Sequence, residues 1–187
     1  MDYALPGIVG TLVTALYNVI GRIFIGQVEG AIAISGLAIT FPVMTLTSSL
    51  GMLVGSGAAA RISISLGKRD HHTAELILGN SLLLTVILNA VFITLFYIFL
   101  EPILMAFGAS SLTYPYARDY LEIVLLGNVF VSLCYNFNAM MRSSGYPTKA
   151  MVTMLIGAVL NIILSPLFLF VFKLGIRGVA WATVLSM

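Results

Sequence analysis

The side chains with chemistry to offer lie inside long apolar runs. Asn18, Asn80, Asn89, Asn136, Asn138 and Asn161 interrupt such runs, together with Thr14, Tyr17, Ser165 and Thr183. An amide left unbonded in hydrocarbon costs several kcal/mol, so these groups must face other helices or a wet cavity. Taken singly, each asparagine reads as a hydrogen bond between neighbouring helices. Taken as a set, they read as the lining of a polar cavity. Charge is absent from the same runs, for every Asp and Glu falls at an expected helix end or in a loop. An acid or base deep in a span would mark a functional site by default. Nor is there a pair of carboxylates for acid–base work, a Ser/His/Asp set or a zinc-ligand pattern. His71 and His72 sit side by side in a basic loop and read as solvated, and Cys134 has no partner cysteine in the chain. These absences argue against an enzyme, a resident metal and an internal disulfide.

The elements that must position those residues are membrane helices. Of the 187 residues, 60 % are hydrophobic and only 9 % charged, and the mean hydropathy is +1.07. A soluble domain carries about 25 % charged residues. Uninterrupted apolar length places spans at 4–21, 32–60, 76–100, 116–141, 150–172 and 178–187. The last is less than half a crossing, and the chain reads as a fragment with an incomplete sixth helix. A membrane barrel would alternate apolar and polar residues, whereas the stretch from Leu82 to Phe99 is apolar on every face. Pro42 and Pro166 are expected to kink their helices. Gly51, Gly55, Gly57 and Ala58 to Ala60 form a small-residue face suited to close helix packing. The GSGAAA text is no dinucleotide fingerprint, because no strand precedes it. The net charge of +2 is spread over the loops and gives no nucleic-acid-binding face. Arg61, Lys68, Arg69, Arg142 and Lys149 fall on one side of the bilayer, which favours a cytoplasmic N-terminus in the cell membrane.

Several segments, in order, resemble the multidrug and toxin extrusion (MATE) transporters. They are ALPGIVGTLVTALYNVIGRIFIG, TFPVM, GSGAAARISISLGKRD, FGASSLTYPYARDYL, RSSGYP, IGAVLNIILSPLFLFVF and GIRGVAWATVLS. The resemblance implies an all-α fold of twelve helices in two six-helix lobes, of which this chain is the N-terminal one. It implies a secondary antiporter that exports small organic, often cationic, molecules in exchange for protons or sodium ions, with no other cofactor. The partners implied are the lipid bilayer, the small-molecule substrate and the C-terminal lobe. Residues matching the family's polar cluster are Tyr17, Tyr120, Asn138, Asn161 and Thr183, and Ser165 is expected in the same substrate or ion cavity. Two acids of that cluster are lost, because Gly21 stands where the first helix usually carries an aspartate and Ser165 where the fifth does. Neither residue titrates, so this lobe is not expected to hold the coupling ion by itself. A related alternative is a flippase for lipid-linked precursors, which would line its cavity with cations. Arg22, Arg61 and Arg142, read near helix ends, count against it. A third reading is a half-length interaction partner that transports nothing.

Overall fold

The computed structural model describes the backbone of residues 4–186 and the side chains of residues 8–10, 12, 13, 16 and 19–186. The helices are α1 (Ala4–Gly67), α2 (His71–Ile98), α3 (Leu100–Ala106), α4 (Tyr114–Ser143), α5 (Pro147–Pro166) and α6 (Gly175–Leu185). No strand occurs among the described residues. Four segments are long and apolar enough to cross a membrane: Val19–Gly67, His71–Ile98, Tyr114–Ser143 and Pro147–Val171. Gly175–Leu185 is apolar but shorter. This is a multi-pass membrane bundle.

Helix α1 is two spans joined at one residue. Gly30 adopts φ 80° and ψ −173°, which only glycine reaches without strain. The chain folds back there, with Gly26 lying against Ile34 across the turn. The two arms are residues 4–29 and 31–67. The first arm does not stop at Arg22, where the charge suggested an end. Arg22 stays within the helix because its guanidinium lies over the Phe41 ring, 5.4 Å from the centroid, and borders a cavity rather than lipid. Pro42 sits inside the second arm without breaking it. Pro166 ends α5, and Leu167–Val171 winds on as a π-helix, the local adjustment that lets a helix pass a proline.

Close contacts give the direction of every span. Gly36, Gly51 and Gly55 of the second arm meet Ala117, Ser132 and Asn136 of α4 at a constant sequence offset, so these helices run parallel. Helix α2 is antiparallel to α4, since Asn89 reaches Asn128 near one end and Tyr97 bonds the Glu122 carbonyl nearer the other. The first arm runs with α5, pairing Gly10 with Met154 and Phe24 with Phe170. Helix α6 runs with α4 and places Val184 on Gly127. Successive spans therefore alternate. Helix α4 touches every other α-helix and is the pivot of the bundle.

Glycine permits the parallel seam. A side chain at Gly51 would meet the Ser132 Cα at 2.7 Å and its carbonyl oxygen at 3.0 Å, and one at Gly55 would meet the Asn136 Cα at 3.0 Å. Below them Ala58 and Ile62 are buried with Ala74 and Met140. Gly57 and Ala60 face away and are exposed, so the packed face is narrower than the run of small residues suggested. At the turn between the second arm of α1 and α2, Asp70 caps α2 by accepting from the Thr73 amide at 3.0 Å. Hydrogen bonds from Thr73, with His72 and His71 nearby, hold its carboxyl below the usual range. The cap thus contributes stability above the ordinary carboxylate range and loses it as pH falls through the lowered value.

The seam predicts opposite outcomes for two alanine substitutions. Gly51→Ala forces backbone apart and should destabilise the bundle by about 1–3 kcal/mol, the usual cost of overpacking. Gly57→Ala meets nothing within 4 Å. It should stabilise by up to about 1 kcal/mol through helix propensity. Thermal unfolding in detergent reads both, and equal shifts would contradict the seam.

Candidate functional site

A cavity of about 660 Å³ opens between the two arms of α1 and helices α4, α5 and α6. Its wall carries hydroxyls from Thr40, Thr45, Ser48, Ser49, Tyr135 and Thr183 among methionine and aliphatic side chains. Among the residues singled out from sequence, Gly21, Tyr120, Asn161 and Thr183 come together on this wall. Ser165 does not reach it. It is 1 % exposed and donates to Asn161 Oδ1 at 3.1 Å from behind. Asn138 lies apart, lining a crevice of about 250 Å³ between α4 and α5. Its amide donates to the Ala150 carbonyl and to Thr153 Oγ1, each at 3.1 Å. The side chains of Tyr17, Thr14 and Asn18 lie outside the described residues.

Asn161, Ser165 and Thr183 belong to one hydrogen-bonded chain that joins α5 to α6. Ser165 donates to Asn161, Asn161 donates to Ser186 Oγ at 3.0 Å, and Ser186 Oγ donates to the Thr183 carbonyl at 3.0 Å. The Thr183 side chain donates to the Val179 carbonyl at 2.9 Å, and Tyr120 lines the same cavity wall. Every group in the chain is neutral. It can offer oxygens and amide protons to a bound molecule, but it cannot titrate in the physiological range.

A second polar system fastens α4 to α2 and touches the cavity only through Asn128. Asn89 Oδ1 accepts from Asn128 Nδ2 at 2.8 Å and from Ser132 Oγ at 3.1 Å. Asn136 Nδ2 donates to Thr85 Oγ1 at 2.7 Å. Thr85, Asn89, Ser132 and Asn136 are at most 1 % exposed. Sequence reasoning picked out Asn89 and Asn136 but missed Asn128, Ser132 and Thr85. The signal was present as polar residues at every fourth position, 81–85–89 on α2 and 128–132–136 on α4. Asn80, expected to face inward, is exposed because it lies beside that stripe rather than on it. Asn136 Oδ1 and Asn138 Oδ1 are buried without a hydrogen-bond partner.

Charge on the cavity wall has one sign. Among the described residues, Arg22 and Arg142 are the charged side chains that line it, and no carboxylate does. The sequence reading set both arginines near helix ends and outside the site. Arg142 does lie in the last turn of α4, whereas Arg22 lies inside the first arm, and the structure places both on the border of the cavity. Arg61 is exposed and lines neither pocket. Asp119 and Glu122 of α4 are engaged with Arg177 and Arg118 respectively, each pair at 2.7 Å. At Gly21, where the resemblance expected an acid, a side chain would find open space.

Comparison with known proteins agrees with this architecture. The MatE family model matches residues 6–167. The chain is 32 % identical over 186 residues to the multidrug export protein MepA of Staphylococcus aureus, and 30 % identical to that of Staphylococcus haemolyticus. Each match covers 100 % of this chain and 41 % of the relative. A ligand complex of the MATE multidrug transporter DinF-BH superposes with a TM-score of 0.93 at 39 % identity, covering 99 % of this chain and 42 % of that one. An outward-facing multidrug resistance MATE transporter of the MOP superfamily superposes with a TM-score of 0.92 at 27 % identity, over 98 % of this chain and 41 % of the other. The chain thus spans about two fifths of the length of the relatives it matches.

The two polar systems should respond differently to truncation. Asn89→Ala strips the acceptor shared by two buried donors, each worth about 1–3 kcal/mol when left unpaired in a protein interior. Membrane cycles average about 0.6 kcal/mol per bond, so a net loss of about 1–2 kcal/mol is expected. Ser48→Ala, on the wet wall, should cost less than about 0.5 kcal/mol. Steric-trap unfolding in bicelles measures both, and a larger loss for Ser48→Ala would contradict the assignment of dry seam and wet wall.

Proposed function

The chain belongs to the MatE family, the multidrug and toxin extrusion transporters that its motifs resemble, and from that premise we propose that it forms the N-terminal lobe of a secondary active exporter. The reading is carried by the cavity. A polar wall lies between spans of opposite direction and is sized for a small organic molecule, and pockets of roughly 300–1,000 Å³ are usual for such ligands. The relatives named as multidrug export proteins, and the DinF-BH multidrug transporter with its bound ligand, support small organic cargo. The membrane is the cytoplasmic one, with the N-terminus and the basic turn at Lys68 and Arg69 inside, as the distribution of lysine and arginine favours.

Export is coupled to protons or sodium ions, and the coupling group lies outside this lobe. Antiport needs a site whose affinity for the ion changes with conformation, and a buried carboxylate does this through its shifted pKa. Gly21, Ser165 and the hydrogen-bonded chain around Asn161 supply neutral groups only. Neutral oxygens alone would hold a sodium ion far more weakly than a carboxylate.

In everted membrane vesicles, the intact transporter should accumulate a fluorescent drug when a proton or sodium gradient is imposed. Gly21→Asp should raise the dependence of that uptake on the gradient several-fold, because a side chain there enters open cavity. Ser165→Asp should do less, since Ser165 is enclosed. Uptake that ignores every gradient would overturn the exporter, and an unchanged ion dependence in Gly21→Asp would remove that position from coupling.

A further inference from the structure

We propose that Arg22 and Phe41 form a clasp between the two arms of α1 that sets how wide a cargo the cavity admits; the cargo half of this rests on the exporter reading. The first observation is that the arms lean on different helices. The first arm packs along α5, through Gly10 at Met154 and Phe24 at Phe170. The second packs along α4, through Gly36, Gly51 and Gly55. Their covalent link is the turn at Gly30, whose φ of 80° lies in the region that glycine adopts without strain. The cavity opens between the arms, so its width follows their spacing.

The second observation is where contact crosses the gap. Gly26 lies against Ile34 beside the turn, and Ile25 and Leu37 close that end of the cavity as part of the buried core. Further from the turn, the Arg22 guanidinium lies over the Phe41 ring, 5.4 Å from its centroid. At 1.5 Å per residue, Arg22 stands about 12 Å and Phe41 about 16 Å along their arms from Gly30. A contact so far from the pivot resists splaying with a longer lever than one beside it. Arg22 is exposed and Phe41 is 56 % exposed, and both border the cavity, so the pair sits at the opening and is not fixed there by burial. A cation inside a span is costly, and its attraction to a ring strengthens as water leaves. The pair therefore holds when the opening is narrow and yields when a guest parts the arms. Arg22 is on this reading a positioning residue, which acts on cargo through the spacing of the arms.

The test uses the intact transporter in proteoliposomes, with a narrow and a broad cationic dye, acriflavine and rhodamine 6G. Both dyes carry positive charge, so removing the Arg22 charge acts on both alike and the ratio of their KM values isolates width. Arg22→Gln and Phe41→Leu should each lower the KM of rhodamine 6G relative to that of acriflavine about threefold, the worth of one exposed cation–π contact. The double variant should do no more than either single one, because all three remove the same contact. Arg22→Lys and Phe41→Tyr keep a cation over a ring and should retain the wild-type ratio. Phe41→Trp supplies the better ring and should raise it. Spin labels at Val19 and Leu46, exposed on either arm, read the spacing directly in a Cys134→Ser background. Arg22→Gln and Phe41→Leu should lengthen that distance, and Phe41→Trp should narrow its distribution. Additive effects in the double variant, or a spacing indifferent to every substitution, overturn the clasp. A spacing that responds while the KM ratio stays fixed overturns its role in choosing cargo. Wild-type uptake of neither dye under any gradient sinks the exporter reading instead, and the spin-label distances still decide the clasp.

Discussion

The structure depends on one constraint: inside hydrocarbon, every polar group must bond to protein or to trapped water. Helix α4 meets it twice. On the side facing α2, Asn128, Ser132 and Asn136 bond Asn89 and Thr85 in a seam with almost no exposure. On the side facing the cavity, Tyr120 shares the wall with Thr183 and Asn161, whose hydrogen-bonded chain runs on to Ser165. The first set is committed to helix packing, with Asn136 Oδ1 left without a partner. The second keeps groups within reach of a guest. The same side-chain types therefore hold helices together on one face and offer binding groups on the other.

Close packing makes this division possible. Gly36, Gly51 and Gly55 bring the second arm of α1 onto the α4 backbone, so polar stripes on α4 have a wall on each flank. The turn at Gly30 then returns the first arm beside α5, where Phe24 and Phe170 meet edge to face. The cavity is what remains between these arms. Its electrostatic character follows from position rather than number of charges. Of nine basic residues in the chain, Arg22 and Arg142 are those that line it. With Gly21 in place of an acid, no carboxylate among the described residues lines this wall.

Much of the architecture was legible in the sequence. Apolar length located the helices, and the ordered motifs gave the family. The helix ends were less legible. Arg22 read as the end of a span because a charge in lipid is costly, but cation–π contact and a cavity make it tolerable where it stands. Gly30 was the true end, and only its positive φ reveals that. The site was half legible. Tyr120, Asn161 and Thr183 converge on one wall, while Asn138 faces a different crevice and Ser165 sits behind. Such divisions depend on helix rotation, which the spacing of polar residues encodes only where a four-residue stripe is complete. The stripe 128–132–136 was complete and was overlooked, because Asn128 and Ser132 lie in a run otherwise as apolar as its neighbours.

The account turns on the cavity wall being wet and the rest of the helix surface being in lipid. Cysteines introduced one at a time at Thr45, Ser48, Leu83 and Leu126, in a Cys134→Ser background, separate the two with a membrane-impermeant maleimide. All but Ser48 are exposed on the bundle surface, but only Thr45 and Ser48 border the cavity. Rapid labelling at 45 and 48 with protection at 83 and 126 is the predicted result. Equal reactivity at all four, or protection at 45 and 48, would contradict a water-filled site in this lobe.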